Sequence, residues 1–156
     1  MKLLSFSTSA GDSFGMVTEN GSGDGVVDLG QRLGGKYADL RSLLEGGGQD
    51  EAVALNGVAA DHALSDITYL QVIPNARRII CIGLNYREHA EEMSLNFPED
   101  PNLFSKWPDA LVGHEQDVIR PKASSNFDYE GELAFIIGKP GRHIAEAKAM
   151  DHVAGC

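Results

Sequence analysis

A chain of 156 residues, 42% of them hydrophobic, is long enough to bury an ordinary core, so disorder gives way to a soluble globular protein of one or two small domains. Its formal charge of -10, with no block of Lys and Arg to offset it, would repel a phosphate backbone and argues against nucleic acid as a partner. The apolar run at residues 1–6 is too brief for a signal-peptide core or a bilayer span, so a cytoplasmic location without membrane contact is expected.

Eighteen glycines and six prolines set between short apolar runs favour many short strands over long helices, and an α+β, mainly β protein is expected. Residues 2–29 read as strand, turn, strand, turn, strand, with breaks at Ala10-Gly11-Asp12 and in the glycine-rich stretch 20–25, a β-meander. Leu40, Leu43 and Leu44 recur at helical spacing before Gly46-Gly47-Gly48 ends the pattern, and a weaker helical stretch follows at residues 51–55. These elements make a small first domain, residues 1–70.

A strand is expected at residues 67–73, and a second domain from Pro74 through residue 156. Residues 78–84, Arg-Ile-Ile-Cys-Ile-Gly-Leu, are nearly continuous apolar sequence, the pattern of a strand buried on both faces. Residues 87–93 suit a short helix. The region holding Pro98, Pro101 and Pro108 is expected to be irregular, a lid or substrate loop. A short strand is expected at residues 117–121 and a longer one at 130–138, the latter with Leu133, Phe135 and Ile137 opposite Glu130 and Glu132, and a helix at residues 144–153. The two cysteines, Cys81 inside an apolar run and Cys156 at the last position, form neither a disulfide framework nor a zinc motif.

Two groups of residues carry potential chemistry. Asp128, Glu130 and Glu132 alternate, so on a strand their carboxylates project from one side and repel unless a cation sits among them. Oxygen-only ligands suit Mg²⁺, Mn²⁺ or Ca²⁺ rather than zinc or copper. In so acidic a chain the same spacing also arises by chance, and a solvated strand face is the competing reading.

His89 and Glu92 are three apart and share one helix face, where a carboxylate can orient an imidazole for general-base work. His143 with Glu146 repeats the spacing, and His114 with Asp117 does too, so surface pairing competes as an explanation. Lys106 follows the polar loop and could meet a substrate carboxylate as a point charge, or simply be solvated. No phosphate-cradling loop, nucleophile elbow or dinucleotide fingerprint is present.

Taken together, Ile80-Cys81-Ile82-Gly83-Leu84-Asn85-Tyr86 with His89 and Glu92, then Phe104-Ser105-Lys106, then Asp128-Tyr129-Glu130-Gly131-Glu132-Leu133 and Ile137-Gly138-Lys139, resemble the fumarylacetoacetate hydrolase family in order and spacing. Residues 1–33 also resemble that family's small N-terminal domain. The resemblance implies a mixed β-roll catalytic domain and a metal held by Glu130 and Glu132 with one later aspartate. It further implies a His89–Glu92 dyad on a short helix or lid, and Lys106 near the substrate. The third metal-ligating aspartate would be expected just beyond Cys156, so the catalytic domain is expected to be incomplete here.

The activity so implied is metal-dependent hydrolysis of a C–C bond in a β-diketo or acylpyruvate-type acid, with His89 activating water and the metal stabilising an enolate. Alternatives are an isomerase or decarboxylase of the 2-hydroxyhepta-2,4-diene-1,7-dioate type, a ureidoglycolate lyase, and an inactive fragment that pairs with a partner through an exposed sheet edge. A small keto acid is the expected ligand, and a homodimer is expected for the full-length protein.

Overall fold

The computed structural model describes residues 1–20, 23–128 and 131–156. It is an α+β structure, mainly β, whose contacts divide it into two units, residues 1–73 with 112–156, and residues 74–111.

In the first unit the alternating apolar pattern forms a meander. Strands β1 (Leu3–Thr8), β2 (Gly11–Asn20) and β3 (Gly23–Asp28) pair antiparallel. Strands β4 (His62–Ala63) and β5 (Thr68–Tyr69) flank them, giving the order β4-β3-β2-β1-β5. The strand expected over residues 67–73 is thus only two residues long, with one further bond in the same register from Leu70 N–H to the Ser5 carbonyl.

The pleat places Leu4, Phe6, Val17 and Val26 on one face, where Leu64, Ile67 and Tyr69 pack against them. Phe14, Met16 and Val27 fall on the other and are also buried. Gly15, paired with Leu4, makes this possible, since a Cβ there would overlap the Val27 carbonyl oxygen and Val26 Cγ1.

Three short helices follow, α1 (Leu29–Arg32), α2 (Leu40–Glu45) and α3 (Gln49–Val53), and α2 carries the leucine spacing. Asp28 caps α1 through the Gln31 N–H, and Asp39 with Ser42 forms a reciprocal capping box on α2, so orphan amides at both starts are satisfied. Leu40, Leu43 and Leu44 are all buried. Tyr37 donates to Glu51 at 2.6 Å and Lys36 bonds the same carboxylate at 2.8 Å, joining the approach to α2 to α3.

Residues 112–156 are sparsely ordered into elements. The expected strand at 117–121 does not form, and Ile119 is 88% exposed. Among the described residues the expected strand at 130–138 is reduced to β8 (Ile136–Ile137), paired with β9 (Val153–Gly155). Leu133, Phe135 and Ile137 are exposed rather than turned into a core. The helix expected at residues 144–153 forms as a 3₁₀ helix, Glu146–His152.

The second unit is a hairpin of β6 (Ile79–Gly83) and β7 (Asn102–Lys106) with helix α4 (Arg87–Glu92) between them. Strand β7 lies within the proline-rich stretch expected to be irregular. Nor is β6 buried on both faces, since Ile80 is 63% exposed and Ile82 44%. Its only strand neighbour among the described residues is β7, which pairs along one edge and leaves both faces to be covered by other elements. Cys81, expected in the core, is half-buried, and both cysteines are free.

Candidate active site

Strand β6 ends at Gly83, and Leu84 turns the chain through a left-handed conformation (φ 54°) toward α4. Helix α4 then sets His89 and Glu92 on one face, three residues apart, with Ala90 buried beneath. His89 Nδ1 and Glu92 Oε2 are 3.9 Å apart, and both side chains are more than half exposed. That separation exceeds a hydrogen bond, so the pair is oriented but not closed. Catalytic bonds are commonly long before substrate binds.

Lys106 lies at the other end of the same hairpin. The register pairs Lys106 with Ile79 and Asn102 with Gly83, so Lys106 sits four residues along the strand from the point where β6 gives way to the turn into α4. At about 3.3 Å per residue that is roughly 13 Å along the strand. Lys106 is exposed.

Of the acidic run, Asp128 and Glu132 are exposed and neither lies in a strand. Glu130, one of the two expected metal ligands, lies outside the described residues. The oxygen-only donor set fits a hard cation in its chemistry. Among the described residues, however, no three His, Cys, Asp or Glu side chains gather as a metal site.

The decoy pairs behave differently from His89 and Glu92. His114 stacks edge-on against Tyr69 at 5.0 Å and approaches Glu115, not Asp117. His143 sits in a left-handed turn (φ 55°) ahead of the 3₁₀ helix.

The strongest polar network lies elsewhere, and sequence spacing gave no sign of it. Asp28 accepts from Ser13 Oγ at 2.6 Å and from the Gln31 amide, its own amide donates to Asp61, and His62 Nε2 lies 3.5 Å from its second oxygen. Hydrogen bonding to Arg32 holds the Asp61 carboxyl below the usual aspartate range, against an opposing effect of burial and with help from the Asp28 amide. Glu51 is likewise held low, first by Lys36 and then by Tyr37. These groups tie α1 to β2 and β4, and the approach to α2 to α3, which is a structural use.

Comparison with known proteins decides the family. The family model described as fumarylacetoacetate (FAA) hydrolase C-terminal matches residues 78–156, half of the chain. The chain belongs to the fumarylacetoacetate hydrolase family. Its similarity to other members runs through both halves: it is 35% identical to the Xenopus laevis protein named mitochondrial oxaloacetate tautomerase fahd2, over 99% of this chain and 50% of that one. The human mitochondrial oxaloacetate tautomerase FAHD2A is 35% identical over 88% of this chain and 45% of its own. A crystal structure of a putative HpcE protein from Mycobacterium smegmatis superposes with a TM-score of 0.75 at 28% identity, covering 99% of this chain and 52% of that one. The chain thus spans about half the length of the family members it matches.

Proposed function

We propose that this fumarylacetoacetate hydrolase family chain carries the general-base half of an enzyme that moves a proton on the carbon next to the carbonyl of a small keto acid. The observation that carries the reading is the His89–Glu92 pair on α4, within the stretch that matches the family model. In the reaction His89 takes a proton from that carbon while the carbonyl oxygen gains one, so a C–H bond is exchanged for an O–H bond and the keto form becomes the enol. Glu92 orients the imidazole, and Lys106 neutralises a substrate carboxylate as a point charge.

Glu130 and Glu132 are the residues we propose as ligands of Mg²⁺, Mn²⁺ or Ca²⁺, a cation that polarises carbonyl oxygens when bound. The two glutamates and the dyad both fall within residues 74–156, which we take as the first part of the catalytic domain, with residues 1–70 as the N-terminal domain. A homodimer is proposed for the whole protein.

Keto-enol isomerisation is favoured over the C–C hydrolysis expected from the sequence because several relatives are named oxaloacetate tautomerases. Hydrolysis of an acylpyruvate is the second reading, favoured by the family model's own description. The same relatives are named mitochondrial, against which the cytoplasmic expectation is set. Among the described residues no helix is long and apolar enough to cross a membrane.

The test is a pair of assays on the full-length protein with Mg²⁺: enol decay of oxaloacetate, and pyruvate release from an acylpyruvate. Faster enol decay that His89→Ala abolishes is expected. Pyruvate release instead would transfer the reading to hydrolysis. Neither activity, with no Mg²⁺ binding by calorimetry, would leave the chain a non-catalytic module.

A further inference from the structure

Residues 74–111 leave the first unit after Ile73 and rejoin it at Val112. The chain on either side of this departure is tied down, and the two ties meet each other. On the outgoing side β5 pairs with β1 (Phe6 with Tyr69), Leu70 N–H donates to the Ser5 carbonyl at 3.0 Å, and Ser5 Oγ donates to the Val72 carbonyl at 2.9 Å. On the returning side Gly113 is buried directly against Tyr69, so closely that a Cβ would overlap the Tyr69 carbonyl oxygen.

Gln116 joins the two sides. Its Nε2 donates to the Tyr69 carbonyl at 2.9 Å, while its Oε1 accepts from the Gly113 amide at 3.1 Å. The Gln116 amide closes a turn onto the Gly113 carbonyl at 3.2 Å, and the His114 ring stands edge-on to the Tyr69 ring. One side chain thus bonds both the strand that leads out and the segment that leads back.

We infer that this clasp, Tyr69 with Gly113 and Gln116, is a joint that fixes both ends of the 74–111 lobe, so that the lobe unfolds and refolds as a unit while the N-terminal sheet stays folded. Three physical facts support independent local unfolding of the lobe. The lobe's only sheet is a two-stranded hairpin, which is marginal by itself in water. Its face bearing Ile80, Ile82 and Leu103 is exposed. Its one fully buried hydrophobic residue is Ala90, whereas the first unit holds the Phe6, Phe14 and Leu43 core. Few buried apolar contacts define the low-stability end of a structure, the part that opens locally.

The test is hydrogen exchange read by mass spectrometry on the whole chain, which reports the joint independently of any activity. In the unaltered protein, peptides covering 79–83 and 102–106 are expected to exchange together, at least tenfold faster than peptides covering 3–8 and 11–20. Gln116→Ala is expected to speed the lobe peptides a further threefold or more and to leave the sheet peptides unchanged. Gln116→Glu keeps the acceptor for the Gly113 amide but loses the donor to Tyr69, and is expected to match Gln116→Ala. Equal acceleration of lobe and sheet would show a single cooperative unit and overturn the joint. An unchanged lobe in Gln116→Ala, or wild-type exchange in Gln116→Glu, would overturn it as well.

Discussion

Asp61 and Arg32 are joined twice: the guanidinium donates through Nη2 to Oδ1 at 2.7 Å and through Nε to Oδ2 at 3.1 Å, and the Asp28 amide adds a third donor at 2.9 Å. The pair ties the start of β4 to α1, so it links both ends of a 29-residue separation in sequence. Because the folded carboxyl titrates below its ordinary value of about 3.9, the stability it adds is fully present above that value and is lost as pH falls through the lower folded one. Asp61→Asn is expected to cost on the order of 1 kcal/mol at pH 7 by urea denaturation, with the gap to the unaltered protein closing below about pH 4. A gap that stayed constant down to pH 3 would contradict the ion pair as its source.

Gly15→Ala tests the sheet from the inside. The new methyl would meet the Val27 carbonyl and Val26 Cγ1 and press on the Phe6 ring, all in fully buried surroundings. Overpacking of this kind typically costs about 1–3 kcal/mol, and the upper end is expected because a backbone atom is one of the obstacles. Chemical denaturation with an unchanged slope is the measurement; a neutral substitution would mean the strands separate more freely than their packing implies.

The N-terminal meander was legible because its information is local. Ala10-Gly11-Asp12 marks a turn, alternation marks two faces, and Leu40, Leu43 and Leu44 mark a helix stripe, so each element could be placed without its neighbours. Burial of β6 was not legible, because a continuous apolar run says a strand can be covered on both sides, not that partners are present. Strand β7 was hidden for the converse reason: Asn102–Lys106 has little alternation of its own and becomes a strand by pairing with β6. Among the site residues, i,i+3 spacing sufficed to bring His89 and Glu92 together. No local rule relates Asp28 to Asp61, or Tyr69 to Gln116, whose contacts exist only after the chain has returned on itself.

The exposed face of the β6–β7 hairpin gives a prediction about behaviour in solution. Ile80, Ile82 and Leu103 share one face by register and are all exposed, so their apolar surface contributes little to the stability of the lobe and much to association. The double substitution Ile80→Thr and Leu103→Thr is expected to change thermal stability by less than about 0.5 kcal/mol while lowering binding of an apolar dye and self-association by light scattering. A large loss of stability would show that this face is covered in solution.

The dyad makes the sharpest prediction, and it is quantitative in two directions. Removing a positioned base typically costs about 10²–10⁴-fold, so His89→Ala is expected to lower turnover of the keto acid by that factor with KM little changed. Glu92 never touches the substrate in this scheme, and with 3.9 Å between Oε2 and Nδ1 its hold on the ring is loose. Glu92→Gln, which keeps a hydrogen-bonding group of the same size, is therefore expected to cost only about tenfold in turnover, and the double variant no more than His89→Ala alone. Lys106→Ala is expected to act the other way round, raising KM while leaving turnover nearly intact, because a point charge on a carboxylate binds ground and transition states alike. A turnover defect in Lys106→Ala equal to that of His89→Ala would assign the proton transfer to the lysine instead.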